Sequence, residues 1–244
     1  MDKQSIMMTC GPPKAYKSII ATTMCYHLVT GTPLFNVTKA VREKEREPFF
    51  TVSGAQKVLI LEQEMGEYSL QERFRHMVSE MKPPERTLFE EKIFVHSCDL
   101  EAKLDTPGGR DHISFIIYRC APDVVIFDPL IEFHGGNENQ AQDMMRVMGG
   151  VDYLRQRHGF ASDIIHHMSK PQKDSGRHGP DNMRGSSVLY GKGDSFLMCV
   201  PERRRKGIVK VSFTIRRGKP ISSLYLRINE RTLLAEFDSW VEGA

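Results

Sequence analysis

Apolar and polar residues alternate along most of the chain in a way that predicts strands separated by helices. Short apolar runs that predict buried strands fall at 5–10, 57–64, 92–97, 123–130 and 162–169. Helical patterns fit between them, from Lys17 to Val29 and over about 67–80, 110–120 and 138–158. Strands that alternate with helices of this length indicate crossover connections, so we predict an α/β fold with a mainly parallel twisted sheet flanked by helices.

The pattern changes near residue 195. Strand-like runs at 195–200, 207–215 and 221–228 are joined by short turns, which predicts an antiparallel extension at the edge of the sheet. We therefore expect a single domain over residues 1–244, with a core over 1–195 and the edge extension over 196–244. The charged segment 38–50, TKAVREKEREPFF, is expected to be an exposed insertion.

Residues 11–18, GPPKAYKS, follow the first predicted strand and begin the first predicted helix. Gly11, Lys17 and Ser18 match the phosphate-binding loop G-x-x-x-x-G-K-[ST], in which backbone N–H groups surround phosphates, the lysine neutralises charge and the hydroxyl meets magnesium. Tyr16 stands in place of the second glycine, so an ordinary turn is the alternative, and a negative φ would admit its side chain without strain. The predicted nucleotide-contacting residues are Gly11, Pro12, Pro13, Lys14, Ala15, Tyr16, Lys17, Ser18 and Ile19.

Polar side chains also end the other predicted strands, at the edge where parallel sheets bind ligands. Asp128 ends VVIFD and suits a magnesium ion held beside Ser18, although an aspartate that starts a turn is the alternative. Glu62 and Glu64 end VLILEQE, where strand alternation puts both on one side, and a carboxylate there can polarise an attacking water. The histidines of IIHHMSK, His166 and His167, fit either a polar sensor of the phosphate or a satisfied core histidine.

Composition excludes several other classes of protein. The chain has 244 residues, 40% hydrophobic and 27% charged, which is enough to bury a full core. It contains no apolar run of the roughly 18 residues that a membrane span needs, and no signal-peptide pattern, so we expect no membrane partner. The five cysteines form no C-x-x-C pair, which favours reduced thiols and a cytoplasmic location. The net charge of +3 permits a polyanionic partner, and basic runs occur at 203–206 and 216–219.

The ordered set GPPKAYKS, VLILEQE, DVVIFDPL, IIHHMSK and RGSSVLYGKGDSF resembles the RecA-like ATPases of the RepA group of hexameric replicative helicases, which are related to DnaB helicases. The resemblance covers about residues 5–228. It implies ATP and Mg²⁺ as ligands, a homo-oligomeric ring that is typically hexameric, and single-stranded DNA as a partner. It also implies a loader or primase partner, since we expect the chain to be a bare motor core of a plasmid, phage or other mobile element.

The same resemblance assigns roles to individual residues. Glu64, rather than Glu62, falls at the position of the catalytic glutamate, and His167 falls at the sensor position, with His166 as the alternative. The C-terminal strands of this family supply a basic finger to the neighbouring subunit, for which the candidates are Arg216 and Arg217.

Two loops correspond to DNA-contacting loops in RecA-like ATPases, namely residues 131–140 and 170–184. In the second, basic residues lie among glycine, proline, serine and asparagine, which suits an electrostatic contact with a phosphate backbone. Its candidate DNA-binding residues are Lys170, Lys173, Arg177 and Arg184.

Two other functions remain compatible with the sequence. One is a nucleotide-gated protein that binds single-stranded DNA or assembles on it without unwinding. The other is an α/β protein that binds no nucleotide and whose GPPKAYKS is an ordinary turn.

Overall fold

The structure is a computed structural model that describes residues 3–42, 45–168 and 187–241, with side chains described throughout except at 38–42 and 45–48. A nine-stranded sheet has the order β11-β10-β9-β8-β1-β7-β6-β4-β5. Its strands are β1 (Ile6–Gly11), β4 (Val58–Glu62), β5 (Ile93–Ser97), β6 (Val124–Asp128), β7 (Ala161–His167), β8 (Ser195–Pro201), β9 (Ile208–Ile215), β10 (Leu224–Ile228) and β11 (Ala235–Trp240). A separate hairpin consists of β2 (Thr38–Arg42) and β3 (Glu45–Pro48).

The strands from β8 to β5 run parallel, and β9, β10 and β11 add to β8 in antiparallel fashion. The helices are α1 (Lys17–Thr30), α2 (Glu67–Val78), α3 (Pro83–Lys92), α4 (Pro107–Cys120), α5 (Ala141–His158) and α6 (Ser187–Lys192), with short 3₁₀ turns at Leu34–Asn36 and Leu130–Phe133. The predicted α/β class and the antiparallel extension are therefore confirmed.

Successive side chains of β4 point to opposite faces of the sheet, as a strand requires, and both faces are buried. Leu59 and Leu61 belong to the cluster formed with α4 and α5. Val58 and Ile60 belong to the cluster formed with α1, which also includes Phe89 of α3. A strand that is buried on both sides has to be apolar at every position, and this explains why VLIL is an uninterrupted run.

The prediction of an exposed insertion at 38–50 is wrong at its C-terminal end. Phe49 and Phe50 are half-buried and pack against the cluster around α1. The ring centroid of Phe49 is 5.0 Å from that of Trp240, and that of Phe50 is 5.5 Å from that of Phe213. Two aromatic rings at the end of a charged segment therefore connect the β2–β3 hairpin to β9 and β11.

Several elements were not predicted because their apolar pattern is sparse. Phe89 is the buried residue of α3, and Leu189 is the buried residue of α6. β11 has a buried Ala235 followed by charged and half-buried positions, and it is held by pairing with β10 rather than by its own apolar pattern. None of the described helices is both long and apolar enough to span a bilayer.

Candidate functional site

The loop between β1 and α1 lies at the carboxyl edge of the parallel strands and surrounds the first turn of α1. Tyr16 is the N-cap of α1 but its side chain makes no capping hydrogen bond, and the first turn contains no acidic residue. The N–H groups of that turn therefore remain available to an anion, and the helix dipole favours negative charge at this point.

The loop approaches β8 so closely that position 11 has to be glycine. A Cβ atom at Gly11 would lie 2.4 Å from the carbonyl oxygen of Cys199 and 3.0 Å from the Cβ of Ala15. Any larger residue would push the loop away from β8. The first glycine of the motif is thus explained by packing against the neighbouring strand.

Lys17 is buried, with 6% of its surface exposed, at the centre of the loop. Its ammonium donates to the carbonyl oxygen of Pro12 at 3.1 Å and lies 3.3 Å from Nδ1 of His167. Burial lowers the pKa of Lys17, and the nearby carboxylates of Asp128 and Glu64 oppose this effect. The lysine is therefore already directed into the loop, where phosphate oxygens can replace its present partners.

Asp128, at the end of β6, is buried and lies beside Ser18. Burial raises the pKa of this carboxyl to about 6, and a hydrogen bond from the Ser18 hydroxyl opposes the rise. Its Oδ1 atom is buried without a hydrogen-bond partner. An unsatisfied carboxylate oxygen next to a hydroxyl is an arrangement of hard oxygen ligands that fits a magnesium ion.

Glu62 and Glu64 occupy different environments, and the alternation argument does not extend to Glu64 because the strand stops before it. β4 ends at Glu62, which is buried, and its carboxylate accepts the N–H groups of Glu64 at 3.1 Å and Met65 at 2.7 Å. Burial raises the pKa of Glu62 to about 7. Glu64 lies beyond the strand and is exposed, yet it is close enough to influence the pKa of Lys17, Asp128 and Arg73.

Arg73 of α2 lies among these carboxylates and was missed at the sequence level. Burial lowers its pKa, and Asp128, Glu62 and Glu64 each oppose that shift. The sequence does contain a signal, because Arg73 lies at helical spacing between Leu70 and Met77, the buried residues of α2. An arginine in the apolar stripe of a helix has to find acidic partners inside the protein.

The two histidines that end β7 differ in the way that strand alternation predicts. His167 is half-buried and faces the loop through its contact with Lys17. His166 is 1% exposed, and its Nδ1 lies 4.0 Å from Oε1 of Glu138. The structure therefore brings His167, Lys17, Ser18, Asp128 and Glu64 to one edge of the sheet.

Arg216 and Arg217 lie near the amino ends of the parallel strands, whereas the phosphate loop lies at their carboxyl ends. The backbone N–H of Arg216 donates to the carbonyl of Asp194, just before β8 starts, and β8 runs parallel to β1. The guanidinium of Arg216 donates to the carbonyl oxygens of Tyr190 and Gly191 and stacks over the Tyr190 ring at 5.3 Å. Neither arginine can reach the phosphate loop of its own chain.

The two predicted DNA loops have different outcomes. In the first, residues 130–133 form the 3₁₀ turn, and His134 is buried with its Nδ1 3.2 Å from the carbonyl of Gly136. The second, with the candidates Lys170, Lys173, Arg177 and Arg184, lies outside the described residues.

Tyr16 has a left-handed backbone, with φ 59° and ψ 21°, so the negative φ that would admit a side chain freely is not what the structure has. The residue therefore adopts the conformation that the second glycine of the motif takes easily. Its ring is half-buried against the cluster around α1. Packing of the ring thus offsets a backbone strain of about 1–2 kcal/mol.

We expect Tyr16→Gly to retain nucleotide binding, because the backbone N–H groups keep their places while strain is relieved. Tyr16→Ala, the matched control, loses the ring but keeps the strain, so it should be less stable than Tyr16→Gly by about 1 kcal/mol. Titration calorimetry with Mg²⁺ and thermal unfolding measure the two effects. A large loss of affinity in Tyr16→Gly would show that the ring contacts the ligand or braces the loop.

A phosphate loop after the first strand of a mainly parallel sheet, with an aspartate at the end of another strand, defines the class of phosphate-loop nucleotide-binding proteins. The model of the AAA_25 family, described as an AAA domain, matches residues 1–173, and the chain belongs to this family. No curated protein matches the sequence.

Two solved structures show the same fold. One is an ATPase domain that superposes with a TM-score of 0.67 at 11% identity, over 97% of this chain and 85% of that chain. The other is the RadB recombinase, which superposes with a TM-score of 0.60 at 13% identity, over 96% of this chain and 91% of that chain. The resemblance to RecA-like ATPases read from the sequence is thereby confirmed at the level of the fold.

Proposed function

We propose that the protein is an ATP-hydrolysing motor that assembles into a hexameric ring and acts as a replicative DNA helicase of a plasmid, phage or other mobile element. The observation that carries the ATPase part is the convergence of Lys17, Ser18, Asp128 and Glu64 on one edge of the sheet. The wider proposal is supported by the resemblance of the ordered motifs to those of hexameric replicative helicases, and by the structural similarity to an ATPase domain and a recombinase.

Each residue of the site has a separate role in the proposed hydrolysis of ATP. The loop from Gly11 to Ile19 holds the phosphates through its N–H groups, and the Lys17 ammonium neutralises their charge. Ser18 and Asp128 would hold Mg²⁺, and the ion would neutralise charge on the phosphates. Glu64 orients and polarises the attacking water. Arg73 balances the three carboxylates around it and keeps them in place when nucleotide leaves.

His167 is proposed as the sensor of the phosphate. Its Nδ1 is 3.3 Å from the Lys17 ammonium, so any movement of the lysine toward a γ-phosphate changes the partner of this ring. His167 ends β7, which leads directly into the proposed DNA loop with Lys170, Lys173, Arg177 and Arg184. That connection offers a short route from the nucleotide to single-stranded DNA.

A neighbouring copy has to supply the arginine finger, because Arg216 and Arg217 cannot reach the site of their own chain. In a ring with head-to-tail interfaces, one edge of each subunit faces the opposite edge of the next. Arg216 would first have to leave the carbonyls of Tyr190 and Gly191. Release of these bonds gives assembly a means of controlling the finger.

We expect Lys17→Ala and Arg216→Ala each to lose ATPase activity alone and to recover part of it when the two are mixed. A mixed ring forms complete sites at roughly a quarter of its interfaces, where an intact loop meets an intact finger. Phosphate release measures the recovery, and mass measurement in solution confirms that the two variants assemble together. Mixing Lys17→Ala with Arg217→Ala in the same way shows which of the two arginines acts as the finger.

A mixed assembly without recovery would exclude a finger at the arginine tested, and a strict monomer with ATP and single-stranded DNA present would exclude the ring. Helicase function is tested separately on a forked duplex, with the rate of ATP hydrolysis as the control. Strand separation supports the proposal. Turnover without strand separation, with a loading protein supplied, favours the nucleotide-gated DNA-binding alternative.

A further inference from the structure

Two histidines and an aspartate converge on one point just beyond the end of β5. His96 lies in β5, Asp99 follows two residues after that strand, and His112 lies in α4. The Nε2 atoms of both imidazoles are 2.5 Å from the same carboxylate oxygen, Oδ2 of Asp99. Among the described residues, these are the three His, Cys, Asp or Glu side chains that each offer a potential metal-ligand atom within 4.8 Å of the other two.

We propose that His96, Asp99 and His112 form a binding site for a divalent transition-metal ion, of which Zn²⁺ is the most suitable, distinct from the nucleotide site. Imidazole nitrogen together with carboxylate oxygen is a donor set that suits Zn²⁺ and related ions. Three protein ligands leave at least one position for water. The side chains of His96, His112 and Asp99 are 36%, 32% and 14% exposed, so an ion and its water can reach them.

Asp99 is positioned independently of the imidazoles, which favours a site that is largely formed before the ion arrives. Its backbone N–H donates to Oε1 of Gln63 at 2.8 Å, and its carbonyl accepts from Nε2 of Gln63 at 3.0 Å. Its Oδ1 accepts the N–H of Glu101 at 3.0 Å, which leaves Oδ2 facing the histidines. The carboxylate thus has one oxygen for the backbone and one for a ligand.

A second carboxylate lies near the ring of His112 on the side that faces away from Asp99. Oε2 of Glu101 lies 3.9 Å from Nδ1 of His112, the nitrogen that does not face Asp99. This separation is too long for a hydrogen bond, so the exposed side chain of Glu101 would have to rotate before it could orient His112 as outer carboxylates orient metal-binding histidines.

Only a small opening of the cluster is needed to admit an ion. Zinc–ligand bonds of about 2.0–2.2 Å place two ligands of a tetrahedral ion roughly 3.4 Å apart. The nitrogen–oxygen separations of 2.5 Å therefore have to lengthen by about 1 Å, which a small rotation of the partly exposed histidine side chains provides. The bare cluster is an aspartate shared by two imidazoles, and the ion would replace that shared hydrogen bonding.

The cluster lies far from the phosphate loop. β5 is the last strand of the sheet, four positions from β1, or roughly 19 Å at about 4.8 Å per strand. The connection to the ATPase site is through Gln63, which precedes Glu64 and holds both backbone groups of Asp99. A bound ion would therefore stiffen the segment that carries Glu64 without touching nucleotide.

The test is a Zn²⁺ titration of chelator-stripped, tag-free protein against a zinc chromophore, with the bound metal counted by atomic emission. Wild type should bind about one Zn²⁺ per chain. His96→Ala and His112→Ala should each weaken binding at least about tenfold. His76→Ala is the matched control, because His76 is an exposed histidine of α2 bonded to the carbonyl of Arg231, and it should bind as wild type does.

Two further variants separate loss of ligand from loss of fold. Asp99→Asn keeps the size of the side chain but replaces the anionic ligand with a poor one, so it should lose the site while remaining folded by circular dichroism. Cys98→Ser removes an exposed thiol whose Sγ donates to the carbonyl of Met65, and it should bind Zn²⁺ normally. In wild type and His76→Ala, Zn²⁺ should raise the melting temperature, and in Asp99→Asn it should not.

The proposal would be overturned if wild type took up no Zn²⁺. It would also be overturned if Asp99→Asn and both histidine variants bound Zn²⁺ as tightly as wild type. Loss of the site in Cys98→Ser would overturn the assigned ligand set. These readouts do not depend on ATP hydrolysis, so they stay informative whether or not the proposed function is correct.

Discussion

Replacing Lys17 with alanine is expected to abolish ATP hydrolysis and to weaken nucleotide binding. The ammonium lies buried at the centre of the loop, and in the proposed mechanism it stabilises charge that grows on the phosphates in the transition state. Loss of one such preorganised donor commonly costs about 10²–10³-fold in turnover. Phosphate release measures turnover, and calorimetry with Mg²⁺ measures binding.

Lys14 provides the matched control for this experiment. It belongs to the same loop and carries the same charge, but its side chain is exposed. Lys14→Ala should therefore hydrolyse ATP within a few-fold of wild type, which separates the position of Lys17 from the mere presence of a positive charge. Since Lys17 also donates to the carbonyl of Pro12, thermal unfolding has to show that Lys17→Ala is folded. Normal turnover in folded Lys17→Ala would exclude this loop as the ATP site.

The parts of the site that could be predicted from the sequence are those whose chemistry and position are encoded in one short segment. The loop lies between an apolar run and a helical pattern, so GPPKAYKS determines both its residues and its place. Asp128 ends an uninterrupted apolar run, and because ligands bind at the carboxyl edge of a parallel sheet, this position predicts that Asp128 lies at the ligand site. Both inferences needed only the order of the elements.

The parts that could not be predicted depend on where a strand stops or on contacts between distant segments. β4 ends at Glu62 because that carboxylate accepts the N–H groups of the turn, and no pattern in VLILEQE marks this. Asp99 and His112 lie thirteen positions apart in the chain and meet only because α4 lies beside the segment that follows β5. The ring of Tyr16 packs against the cluster around α1, a contact that offsets the strain of its left-handed backbone and that GPPKAYKS alone does not reveal.

Arg73 lies between these two cases. Its place in the apolar stripe of α2 is visible in the sequence, but the identity of its acidic partners is not. Glu62, Glu64 and Asp128 come from two different strands and the turn that follows one of them, and only the order of β4 beside β6 brings them to the same arginine. The sequence could therefore have indicated that Arg73 lies near acidic groups inside the protein, but not which acidic groups these are.

Glu64→Gln is expected to bind ATP with unchanged affinity and to lose turnover by about 10²–10⁴-fold, the usual contribution of a general base. The amide keeps the size and position of the side chain but cannot take a proton from water. Glu64 is exposed toward the loop and engaged electrostatically with Lys17 and Asp128, which suits a group that must meet a solvent water. Calorimetry measures binding, and single-turnover phosphate formation measures the chemical step.

Glu62→Gln is the matched control, two residues away in the same segment. Glu62 is buried and its two carboxylate oxygens accept the N–H groups of Glu64 and Met65, so this variant should lose stability while its turnover stays within about tenfold of wild type. Retained turnover in Glu64→Gln would remove Glu64 from the mechanism. Burial raises the pKa of Glu62 to about 7. If the hydrolysis rate of wild type decreases as the pH is lowered through 7, and this decrease is absent in Glu62→Gln, then Glu62 is the titrating group instead of Glu64.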